Sequence, residues 1–338
     1  MIHNSECMSF SDVMAQFRDG VSALSSPMLY ALTAPSSSDT RQFRQEWSSL
    51  PVEQRRRIIT ALAEQAEANF ELDFDALFRV AMDDADGQVR TVAIDGLWED
   101  EEPSLIASLV RTLQKDQTPS VRAAAASSLG RFVLLLDLEE LDESYASSIH
   151  SVLAEKIHDP AEELEVRRRA VESIAYWDDP SVAAIIADAY KSDEELMRIS
   201  AVFAMGRSAD PVWADTVNGE LGNPNPAMRY EAARSAGELE VKRAVPALIK
   251  LVSDRDREVQ LAAIAALGQI GGQRAKQVLE RCASGSDEAV NLAAEDALAE
   301  LALSRQSLDL LVFGHGADDR EERLGALEDD DDEMDEDD

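Results

Sequence analysis

The sequence predicts an all-α fold, a right-handed solenoid of about eight stacked helix pairs, and three observations carry that expectation. Seven segments repeat one pattern, with first positions at Val89, Val121, Val166, Met197, Met228, Val259 and Val290. Four residues after each stands alanine: Ala93, Ala125, Ala170, Ala201, Ala232, Ala263 and Ala294. Eight residues after come Leu97, Leu129, Ile174, Met205, Ala236, Leu267 and Leu298, often followed by Gly or Ala. Offsets of 0, 4 and 8 share one face of a helix, and a small residue at the centre of that face admits a neighbouring helix. Composition agrees: aromatic residues make up 5% of the 338, and Ala and Leu dominate the apolar share.

Each repeat reads as helix A, a short turn, then helix B. Helix A is visible in stretches such as Val245-Pro-Ala-Leu-Ile-Lys-Leu-Val, and helix B carries the seven-fold pattern. The turn between them holds Asp84, Asp116, Asp159, Asp193, Asn223, Asp254 or Asp287, which are expected to cap helix B by accepting from its orphan amides. A unit this small cannot bury both of its helices, so the units must stack. The residue after the first position is Arg90, Arg122, Arg167, Arg198 or Arg229, then Gln260 and Asn291. These arginines are expected to align the stack by bridging the acidic turns of adjacent repeats.

The spacing Asp-x-x-x-x-Val-Arg-x-x-Ala, present at Asp84–Ala93 and Asp116–Ala125, resembles the HEAT-repeat family, in particular the short HEAT-like repeats found in phycobilisome lyases. The resemblance spans about residues 74–303, with a worn earlier unit at 39–70. It implies an α-solenoid and leaves function open among scaffolds, transport receptors and a few enzymes. The HEAT-repeat deoxyhypusine hydroxylases hold their metal centre with paired His-Glu steps. None of His3, His150, His158 and His315 is followed by Glu, so that activity is not expected.

Three segments are expected from this reading: an N-terminal amphipathic helix and linker at 1–38, the repeat solenoid at 39–303, and a C-terminal cap with an acidic tail at 304–338. Phe10, Val13, Met14, Phe17, Val21 and Leu24 recur at helical spacing, and Pro35-Ser-Ser-Ser reads as a linker. The interval from Val121 to Val166 is 13 to 14 residues longer than its neighbours, which points to a prolonged helix B and a longer loop around 134–150. From Glu328 to Asp338 every residue but Met334 is acidic, and Leu308-Asp-Leu-Leu-Val-Phe just upstream is expected to cap the last repeat.

Charge narrows the function. The net charge is −35, and −25 remains on residues 1–327 without the tail, which argues against direct nucleic-acid binding. The longest aliphatic run is far too short to span a membrane, no secretory signal is visible, and two cysteines, Cys7 and Cys282, suggest no disulfide framework; a cytoplasmic protein is expected. No metal, phosphate-cradle or nucleophile motif occurs, and no cofactor is expected. On helix B the face opposite the core, at offsets 2 and 6, is polar in early repeats (Thr91, Asp95, Arg168, Glu172) and turns apolar and aromatic later (Ile199, Phe203, Tyr230, Leu261), with Arg234 among them. In solenoids of this kind the B helices line the concave side, so Ile199, Phe203, Tyr230, Arg234 and Leu261 form the candidate binding strip of a non-catalytic scaffold or adaptor for a basic protein or peptide. Burial of the same residues by neighbouring B helices is the competing structural account. A lyase-like or protein-modifying enzyme, or an acidic chaperone or nucleic-acid mimic for basic proteins, stands as the alternative function. Trp98, Trp177 and Trp213, near repeat turns, are expected to pack between units.

Overall fold

A computed structural model describes residues 8–20 and 23–303, and all regular structure within them is helical. The tail from 304 onward, with Leu308–Phe313, lies outside them. The chain divides into two compact units, residues 1–208 and 209–338.

The first unit opens with α1 (Phe10–Arg18) and α2 (Ser26–Leu32), followed by five helix pairs. These are α3 (Ser37–Trp47) with α4 (Val52–Ala68), α5 (Asp75–Ala81) with α6 (Gly87–Gly96), α7 (Ile106–Lys115) with α8 (Pro119–Asp137), α9 (Ala146–His158) with α10 (Leu164–Ile174), and α11 (Pro180–Tyr190) with α12 (Glu195–Arg207). The second unit holds three more: α13 (Ala214–Glu220) with α14 (Pro226–Glu238), α15 (Val245–Leu251) with α16 (Arg257–Ile270), and α17 (Gln273–Ala283) with α18, residues 288–303. Eight pairs are therefore present among the described residues, as the repeat pattern predicts. Within the first unit each B helix packs on the next, α4 on α6, α6 on α8, α8 on α10 and α10 on α12; within the second, α14 packs on α16.

The seven central alanines are all fully buried, and six of the seven first positions are core residues. Alanine there lets B helices approach until backbone meets backbone. The glycines one residue beyond offset 8 mark the closest points. A Cβ on Gly130 would stand 3.3 Å from the Ser173 Cα, and one on Gly268 would stand 3.1 Å from the Ala297 Cα. Gly271 and Gly272, joining α16 to α17, both take positive φ (69° and 93°), a conformation that disfavours any side chain.

Two expectations about local chemistry need correction. The acidic turn residues mostly do not cap helix B. The N-cap is two residues further on: Asp86 accepts from the Val89 amide at 3.2 Å, Asn225 from Ala227 at 2.9 Å, and Asp256 from Glu258 at 3.0 Å. Asp84, Asp116, Asn223 and Asp254 instead form Asx-turns, each accepting from the amide two residues ahead at 2.8–2.9 Å. Asp287 alone of the seven caps as expected, accepting from Val290. The linker expected at 35–38 is also shorter: Ser37 and Ser38 already belong to α3, which Ser36 caps through a capping box with Asp39, because Ser-x-x-Asp satisfies two end amides reciprocally. The prolonged helix B of the insertion is present as the 19-residue α8, with its loop after Leu138.

The arginines after the first position have two tasks. Arg90, Arg122, Arg198 and Arg229 each reach back six residues to a carbonyl of their own turn, at Asp84, Asp116, Ser192 and Asn223, over 2.7–2.9 Å. Gln260 and Asn291 keep the same contact, to Asp254 and Gly285. Arg167 departs, donating to the Ile157 carbonyl. Bridging to the next repeat is real for Arg90, which is bidentate to Asp116, and for Arg229, bidentate to Asp254. Arg122 bridges to Glu162 rather than Asp159, and despite desolvation its bonds and those of Lys156 hold the Glu162 carboxyl at about 2.

Asp75, at the start of α5, is strained in the opposite sense. Burial first, then the nearby Asp100 and Asp73, push its carboxyl up to about 6. Its folded-state value lies above that of the unfolded chain, so the fold favours protonated Asp75. The stabilising contribution is full below about pH 4 and is lost as the pH rises through 6. Asp75→Asn is expected to stabilise the protein by about 1–2 kcal/mol at pH 8, discounted for solvent that still reaches the group, and by nothing measurable near pH 4. Urea unfolding at the two pH values checks this; an equal gain at both would refute it.

Candidate functional site

The predicted strip lies on three B helices and is divided between the units. Ile199 and Phe203 sit one turn apart on α12 in the first unit; Tyr230 and Arg234 sit one turn apart on α14, and Leu261 lies on α16, in the second. Ile199 is a correction: it is 7% exposed and belongs to the packing, because α12 buries Met197, Ser200, Ala201, Val202, Ala204, Met205 and Gly206 as well, almost all round. Phe203, Tyr230, Arg234 and Leu261 are half-buried and reach the surface. Leu292, at the same offset on α18, is 60% exposed.

Local chemistry differs between the two groups. On α12 the Arg207 guanidinium lies 5.4 Å from the Phe203 ring centroid and 5.7 Å from that of Tyr176, so it stands over both rings. Sequence reading passed over Arg207 and Tyr176; the i, i+4 spacing of Phe203 and Arg207 was the available signal. On α14 Arg234 pairs with Glu238 at 3.3 Å and approaches Glu231 at 3.8 Å. Its charge is therefore balanced by carboxylates of its own helix.

The same face of the earlier repeats is a hydrogen-bonded polar surface. Arg168 of α10 donates to Ser200 Oγ at 3.0 Å, and Ser200 donates to Glu172 at 2.6 Å. Arg169 joins Glu165 and Glu172, both at 2.8 Å. Thr91 and Ser120 share a hydrogen bond at 3.1 Å.

Away from this strip, a cavity of about 660 Å³ opens among α9, α10, α11 and α12, lined by Ile157, Val171, Ile185 and Met197 with His150, His158 and Arg167. His158 holds Nδ1 2.7 Å from the Ala154 carbonyl, which fixes that nitrogen as the donor. His150 meets the Trp177 ring edge-to-face at 5.3 Å. Of the three tryptophans expected to pack between units, Trp98 meets Phe70 of the preceding repeat but stays 44% exposed. Among the described residues, no group of three His, Cys, Asp or Glu could hold a metal ion, and no helix is long and apolar enough to cross a membrane.

Paired helices, buried central alanines and Asx-turns tethered by a following Arg define a helical repeat protein. The sequence matches the family described as HEAT repeats over residues 74–157 and 219–299. No curated protein matches the chain in sequence. Among solved structures, the chain is similar to importin beta in an ammonium sulfate condition (12% identity, TM-score 0.45, covering 86% of this chain and 44% of that one). It is similar to human deoxyhypusine hydroxylase in complex with glycerol (19% identity, TM-score 0.35, 78% and 96% covered). It is also similar to a designed armadillo repeat protein in complex with the peptide (KR)4 (18% identity, TM-score 0.40, 58% and 99% covered).

Proposed function

We propose that the chain is a non-catalytic scaffold or adaptor whose B-helix face captures a basic protein or peptide, with no cofactor. One observation carries the reading. Where earlier repeats present a closed polar network at Arg168, Glu172 and Ser200, the second unit presents Tyr230, Leu261 and Leu292 at the surface, beside an Arg234 whose charge its own helix balances. Apolar and aromatic side chains already half desolvated, with a neutralised Arg among them, have the make-up of an interface hot spot. A net charge of −35 would speed and select encounters with a positively charged partner.

The test is a pull-down with the Phe203→Ala, Tyr230→Ala variant beside the unaltered chain, with circular dichroism to verify folding. Removal of two anchors is expected to reduce recovery of basic partners at least tenfold, the scale of a hot-spot loss of about 2 kcal/mol. Undiminished recovery by a folded variant would reject this face.

A further inference from the structure

We propose that Phe70 and Trp98 form a second docking point, on the first unit, for a Lys- or Arg-rich segment of a partner protein. The two residues hold equivalent places in successive repeats: each stands two residues past the end of a B helix, Phe70 after α4 and Trp98 after α6. Their rings meet edge-to-face, with centroids 6.4 Å apart and planes at 63°. Phe70 is 76% exposed and Trp98 44%, so the pair leaves ring surface open to solvent.

The chain around the pair is acidic, and nearby arginines are bonded within the fold. Glu67, Glu71 and Asp73 flank Phe70, Glu99, Glu101 and Glu102 follow Trp98, and all six are exposed. Arg79, nine residues after Phe70, is bidentate to the buried Asp100 at 2.6 and 2.7 Å and also donates to Ser104, and Arg90, eight residues before Trp98, is bidentate to Asp116. Arg131 donates through Nε to the Asp100 carbonyl.

This combination selects its occupant. A neutral apolar partner would cover the rings only by desolvating carboxylates that it cannot pair, and a phosphate-bearing one would be repelled. A guanidinium or ammonium group gains from both features, lying over an electron-rich ring face while its hydrogens meet carboxylate oxygens. Arginine fits best, since its planar head stacks on Trp and forks to a carboxylate at once. The inference rests on the reading above only for the partner's charge; the residues involved are different.

The test uses the full chain and an acetylated, amidated octa-arginine peptide, titrated at about 0.15 M salt with calorimetry for the affinity and tryptophan emission as a second signal. Phe70→Ala with Trp98→Ala is expected to weaken binding about three- to thirty-fold. Trp98→Phe is expected to keep the affinity within about twofold while losing the change in emission that the peptide induces. Phe203→Ala with Tyr230→Ala is expected to leave the loss caused by the Phe70 and Trp98 changes intact. Because both rings are exposed, their replacement spares the core. An affinity in the folded Phe70→Ala, Trp98→Ala variant within about twofold of the native chain would overturn the proposal. So would equal binding of an octa-glutamate peptide.

Discussion

Asp84→Ala is expected to destabilise the first unit by about 3–5 kcal/mol, the scale for breaking a buried ion pair. The Asp84 side chain is 2% exposed and joins three elements. Its carboxylate accepts from the Trp47 indole of α3 at 2.7 Å, from Arg55 of α4 at 3.2 Å, and from the Asp86 amide of its own turn at 2.8 Å. Arg55 is fixed in turn by donating to the Leu50 carbonyl at 2.7 Å. Truncation leaves a buried guanidinium without its counter-charge and an indole N–H without its acceptor, each a penalty larger than the bond it replaces. Asp84→Asn, which retains one acceptor oxygen, should cost roughly half as much. Arg55→Met should cost less in the Asp84→Ala background than in the native chain, because the orphaned charge is then gone. Urea unfolding followed by circular dichroism measures all three, and a loss under about 1 kcal/mol for Asp84→Ala would show that the triad is dispensable.

Gly237→Val should be comparably damaging in the second unit, at about 3 kcal/mol or more. A Cβ at position 237 of α14 would stand 2.9 Å from the Ala266 Cα and 3.1 Å from its Cβ, both on α16. The neighbouring Gln269 side chain can swing away, but the α16 backbone cannot, so the two B helices must part along their tightest contact. Gly219 of α13 provides the control, since a Cβ there meets nothing within 4 Å and its φ is not positive. Gly219→Ala is expected to raise stability by about 0.5–1 kcal/mol. Thermal unfolding of the two variants checks the pair; tolerance of Gly237→Val would mean that α14 and α16 pack less closely than described.

The architecture was legible because its signal is repeated seven times. One buried alanine is weak evidence, whereas Ala93, Ala125, Ala170, Ala201, Ala232, Ala263 and Ala294 in one register identify the packed face of every B helix after α4. The turns were harder to read. Asp84-Ala-Asp86 offers two acceptors two residues apart, and both an Asx-turn and an N-cap use the same carboxylate-to-amide bond, so type alone cannot say which residue caps. The N-terminal helix was overextended: the spacing of Phe10, Val13, Met14 and Phe17 is helical and these four are buried, but Asp19 and Gly20, with φ of 85° at the glycine, end α1 after Arg18.

The candidate strip was legible in residue type and less so in exposure. Offset 2 puts a side chain on one face, but whether a neighbour covers it depends on the whole circumference of the helix. That is why Ile199 is buried while Leu292 at the same offset is open. The pairing of Phe70 with Trp98 was invisible in sequence because 28 residues separate them, and only the stacking of α4 on α6 brings their helix ends together.

The tether from the residue after the first position to the carbonyl six places earlier, kept in six of the seven repeats, begins and ends inside one repeat. It makes no reference to whatever module comes next. A copy pasted in, cut out or lengthened, as at the stretch before α9, would arrive with its corner already braced. Growth or shrinkage of such an array by gene duplication then needs new complementarity only at the seams.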